Sequence, residues 1–158
     1  MLTLSDSLLR PDTGRIAYLA PSRPGPDAGT WSISVPLLPF CADDRLDPHT
    51  FRPGVDGPEL IETEIGLEFI DLPGSDLGAL AGRTFDFPVN PDDGYIDGSV
   101  YLGGVHNPVD VTRIEFGAAQ DQSIDAVLHA AFDFTQEGVA IENRSAVLRV
   151  VLRYERID

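Results

Sequence analysis

The chain has no lysine and a single cysteine, Cys41, among its 158 residues. One cysteine excludes an internal disulfide, and with it the cross-linked scaffold of small secreted domains. No run approaches the roughly 18 apolar residues that a helical membrane span requires. The first ten residues include Asp6, have no basic residue before Arg10 and lack an apolar core, so they do not read as an export signal, and a cytoplasmic location is expected.

Positive charge is scarce. Eleven arginines stand against 26 acidic residues, a formal net charge of −15 at pH 7 with histidine neutral. Binding a phosphate backbone requires Lys and Arg to displace counterions, so nucleic acid is excluded as an expected partner. A basic protein is the partner that such a charge attracts, although the same charge also serves solubility. The acids favour Asp over Glu by 18 to 8, a bias that equally fits a GC-rich genome or a salt-adapted proteome.

What is present points to β structure in one domain covering residues 1–158. At this length a chain buries roughly 70% of its unfolded surface, enough for a self-sufficient core. The dominant hydrophobic period is two: Trp31, Ile33 and Val35 alternate with serines, and Ile61, Thr63, Ile65, Leu67 and Phe69 alternate with Glu62, Glu64, Gly66 and Glu68. Phe85, Phe87 and Val89 repeat the pattern. Ile96, Val100 and Leu102 lead into a Gly103-Gly104 turn, and Val109 resumes an extended run to Gly117. The chain closes on Ala146, Leu148, Val150, Leu152 and Tyr154, opposed by Arg149 and Arg153. Segment 123–136 fits either a strand or one helix face; its alternation over twelve residues, ending in Phe132-Asp133-Phe134, favours the strand. A short helix is expected at Asp76–Ala81, capped by Ser75 and closed by Gly82. With no βαβ alternation, the expected architecture is an antiparallel β-sandwich or partly closed barrel of about seven or eight strands.

Two stretches, 21–29 and 36–58, are rich in proline and are expected to be irregular and exposed. The second carries Asp43, Asp44, Asp47 and His49, a set of oxygen and imidazole groups whose spacing matches no metal signature, so no metal and no cofactor is expected. Asn90 to Gly98 faintly resembles a calcium loop, yet the acid order is wrong, and Asp93-Gly94 reads instead as a hairpin turn between Val89 and Ile96. His106 with Asp110 offers a general base, but no nucleophile accompanies it: Cys41 lies in a distant loop and no serine sits in a Gly-x-Ser-x-Gly elbow. His129 alternates with Asp125 and Asp133 on a wet strand face. Asn143-Arg144-Ser145 matches a glycosylation pattern, a match expected to be coincidental given the expected cytoplasmic location.

Charge distribution says more than these motifs. From Asp56 to Asp97 eleven acids face Arg83 alone, whereas Arg144, Arg149, Arg153 and Arg156 dominate the C-terminal segment. The first functional expectation is a non-catalytic protein-binding module, of the inhibitor or immunity type, that neutralises a basic partner through an acidic β face carried by Glu62, Glu64, Glu68, Asp92, Asp93 and Asp97. The alternative is a small-ligand binder or hydrolase-type enzyme with a pocket formed by Trp31, Phe40 and Tyr101 and a polar group at His49 or His106. Composition does not choose between them, nor does it set the oligomeric state.

Overall fold

The computed structural model describes residues 1–158, and ten strands carry the fold. They are β1 (Gly14–Leu19), β2 (Trp31–Pro36), β3 (Phe40–Ala42), β4 (Glu59–Ile61), β5 (Glu64–Ile70), β6 (Thr84–Asp86), β7 (Asp97–Leu102), β8 (Val105–Gln120), β9 (Ser123–Phe132) and β10 (Arg144–Ile157). One helical turn, α1 (Pro48–Phe51), interrupts them.

Seven strands close a barrel in the order β8-β7-β5-β2-β1-β10-β9, because β9 pairs back onto β8. Neighbours run antiparallel except β1 and β10, which run parallel from Gly14 opposite Leu152 to Leu19 opposite Ile157. Closure leaves no free edge in the ring, which removes the pairing template that an open sheet exposes. The long strand β8 makes this possible: its first residues pair with β7, its middle with the short β6, and its opposite edge with β9 from Val109 to Gln120.

The period-two pattern explains the interior. Ile124, Ala126, Leu128, Ala130 and Phe132 of β9 and Leu148, Val150 and Leu152 of β10 all point inward and are buried. The segment 123–136 therefore begins as strand, as its alternation predicts. Each of the isoleucine, leucine, valine and phenylalanine side chains among them contributes roughly 1.5–3 kcal/mol on full burial. Trp31 is fully buried, edge-on to Tyr18 at 5.2 Å and tilted against Tyr154 at 6.0 Å.

Between β7 and β8 the turn is Gly103-Gly104, both residues at positive φ (67° and 81°), the left-handed pair that a two-residue hairpin turn demands. Just beyond it lies Asn107, the one buried polar residue. Its Nδ2 donates to the carbonyls of Leu102 at 2.9 Å and of Val100 and Val105 at 3.2 Å, pinning the hairpin from inside.

Several expectations are corrected. Phe69 does not follow Leu67 inward. Two steps on β2, Trp31 to Ile33, oppose three on β5, Ile70 to Leu67, so β5 bulges; Phe69 takes φ 57° and is 38% exposed while Ile70 is buried in its place. The helix expected at Asp76–Ala81 shrinks to a 3-10 turn at Leu77–Ala79, and Ser75 does not cap it: the Ser75 carbonyl instead accepts from the Tyr154 hydroxyl at 2.5 Å. Gly82 does take positive φ, 72°.

The hairpin expected at Asp93-Gly94 is absent, because β6 pairs with β8 rather than β7; the intervening chain is an irregular loop, with Val89 45% exposed. Stretch 36–58 is only partly irregular. It contains β3, which pairs with β4 outside the barrel, and α1, whose N-cap Asp47 accepts from the His49 N–H at 3.1 Å; Leu37, Ala42 and Phe51 within it are buried. On β10 Arg149 lies across from Val127, and Arg153 lies across from Ser123 on one side and Arg15 on the other.

Candidate functional site: an acidic outer face on β5 and β7

Alternation that sends Ile65 and Leu67 into the barrel must send Glu64, Gly66 and Glu68 out. Antiparallel register then sets their neighbours on β7: Gly66 lies opposite Ser99, and Glu68 opposite Asp97. On the next strand His106 lies opposite Tyr101, their rings 4.9 Å apart, and Tyr101 is 52% exposed. The result is an open groove of about 390 Å³ with Gly66 and Ser99 in its lining, bordered by Glu62, Glu64, Glu68, Tyr101 and His106.

Glu62 lies outside regular structure, in the two-residue link between β4 and β5. Its neighbour Thr63 donates its hydroxyl to the Tyr101 carbonyl at 2.7 Å and holds that link against β7. Glu64 accepts from the Ser34 hydroxyl at 2.9 Å. None of Glu62, Glu64, Glu68 or Asp97 belongs to any of the eight ion pairs in the molecule. Cross-strand like charges such as Glu68 and Asp97 repel, by about 0.7 kcal/mol at ~6 Å in a water-like dielectric, which a packed barrel tolerates. Asp92 and Asp93 are exposed in the loop before β7 and line no part of the groove.

The residues of the alternative pocket are not brought together. Trp31 is sealed inside the barrel, Phe40 packs edge-on against Phe51 at 5.2 Å, and Tyr101 faces outward. His49 is used in its own turn, Nδ1 accepting from the Gly54 N–H at 3.1 Å. Cys41 is exposed on β3 and pairs with neither histidine. Asp110 does not support His106, since four residues along one strand separate them by roughly 13 Å. In the 43–49 loop Asp43 accepts from the Arg45 N–H at 3.0 Å, a turn bond, and no three acidic, histidine or cysteine side chains converge as a metal-binding group.

Sequence reasoning missed a second polar cluster. His129 pairs not with Asp125 or Asp133 but with Glu115 of β8, Nε2 to Oε2 at 2.8 Å, and Arg113 approaches the same carboxylate at 3.7 Å. The hydrogen bond from His129, with Arg113 and Arg149 nearby, holds the Glu115 carboxyl below the ordinary value of 4.5 against a smaller opposing effect of desolvation. Strand register alone makes this pair, and only the alternation of His129 hinted at it. In comparison with protein-family models, curated proteins and solved structures, nothing matches this chain.

Proposed function

We propose that the protein is a non-catalytic binding module, of the inhibitor or immunity type, that docks a basic protein on the outer face of β5 and β7. One observation supports this reading most directly: Glu62, Glu64, Glu68 and Asp97 gather on one face without a cationic partner, next to an exposed tyrosine. Carboxylates so placed attract Lys and Arg side chains, and the Tyr101 ring offers a face for a cation–π contact. The mutual repulsion of the acids is relieved when a cation arrives.

The test is association of a candidate basic protein with the variant Glu62→Gln, Glu64→Gln, Glu68→Gln at low and physiological salt. The parent associates faster at low salt and slows steeply as salt screens the charges, whereas the variant loses most of that dependence. An unchanged on-rate and salt slope in a normally folded variant removes this reading.

A further inference from the structure

The opposite flank of the barrel carries the counterpart of the acidic groove. On β10 the residues that alternate with buried Leu148, Val150 and Leu152 are Val147, Arg149, Val151 and Arg153, all exposed. Val147 is 55% and Val151 43% exposed, large values for aliphatic side chains on a sheet. Neither Arg149 nor Arg153 makes an ion pair, although Asp125 lies across from Val151. This is a half-apolar sheet face whose two arginines form no ion pair, although Glu115 and Asp125 lie near them, on a chain of net charge −15.

Its spacing matches that of the groove. Arg149 and Arg153 stand four residues apart on a strand, roughly 13 Å, with Val151 between them. Glu64 and Glu68 are also four apart, and between them is Gly66, where a side chain would meet nothing within 4 Å. Val151 thus fits the gap over Gly66 while each arginine reaches a glutamate. We infer that the occupant of the β10 face is the β5 groove of a second copy of this chain. The inference rests on the proposed function only in taking the same acidic groove as a docking site; its occupant is an arginine stripe on an acidic chain rather than a basic protein.

Topology dictates the form of the assembly. Around the ring β5 and β10 are separated by β2 and β1, so the two surfaces lie on opposite sides of one barrel. A single molecule cannot join them, and a two-fold dimer cannot use both; the contact is head-to-tail and leaves a free groove at one end and a free stripe at the other. Two copies of charge −15 repel at long range, which makes the contact weak and favours physiological ionic strength, where a Debye length of about 8 Å screens whole molecules more than touching side chains.

Sedimentation of the parent at that ionic strength, from roughly 10 μM to 1 mM to cover weak affinities, is expected to show a mass that rises with concentration beyond two chains. Arg149→Gln/Arg153→Gln and Glu64→Gln/Glu68→Gln should each stay monomeric. Their equimolar mixture should form a species of two chains and nothing larger, since only one competent contact survives. Gly66→Leu fills the gap without changing charge and should abolish self-association while a tetra-arginine peptide still binds the acids. A parent that stays monomeric throughout, a variant that associates like the parent, or a mixture that stays monomeric overturns the inference. If the monomeric parent nevertheless binds tetra-arginine through Glu64 and Glu68, the proposed function survives alone; if it binds neither, both fall.

Discussion

Replacing Asn107 tests how the site hairpin is held. The amide nitrogen faces three carbonyl oxygens, those of Val100, Leu102 and Val105, inside the β7–β8 hairpin whose outer side displays Tyr101 and His106. Asn107→Ala removes two or three buried hydrogen bonds worth about 1 kcal/mol each, so a loss of roughly 2–3 kcal/mol is expected. For a chain of this length that lowers the melting temperature by roughly 4–12 °C. Asn107→Asp keeps the shape but sets a carboxylate against three carbonyl oxygens. At pH 7 it should destabilise more than alanine does, because the charge is buried without a donor. Burial and the facing oxygens raise its carboxyl pKa in the folded state, so its penalty is smallest at low pH and grows as pH rises through that value. Urea unfolding of both variants at pH 4 and pH 7 measures this. An alanine variant within about 0.5 kcal/mol of the parent, or an aspartate variant as stable as the parent at pH 7, would refute the claim that this amide pins the hairpin.

The lowered pKa of Glu115 means that its ion pair with His129 adds stability above the ordinary carboxylate value of 4.5 and loses it as pH falls through the folded-state value. Glu115→Gln should therefore reduce stability at pH 6, and the deficit, read as a difference in urea midpoints, should shrink as pH falls below 4.5. At the β5 bulge, Phe69→Asn should change the melting temperature by only a few degrees, since asparagine tolerates the left-handed backbone and the side chain is partly exposed. Its neighbour Ile70→Asn places an amide in the core and should cost more than ~3 kcal/mol, so equal effects from the two changes would contradict the bulge.

Alternation in the sequence determined which residues face inward on β2, β9, β10 and most of β5, because a strand repeats every two residues and a buried face admits few polar groups. It also marked Gly103-Gly104 as a turn and placed Glu64 and Glu68 on one wet face, since both follow from local backbone rules. What lay beyond the sequence is everything set by pairing between distant strands. That Glu68 meets Asp97, that Glu115 meets His129, and that β6 joins β8 instead of β7 are decided by register. A single bulge shifts the following residues to the other face, which is how Ile70 displaced Phe69 from the core. Closure of the ring put the acids of β5 and the arginines of β10 on opposite flanks, although both are plain in the sequence. Local chemistry gave each strand its two faces; which faces become neighbours is a long-range property, fixed only when β9 returned to β8 and the barrel closed.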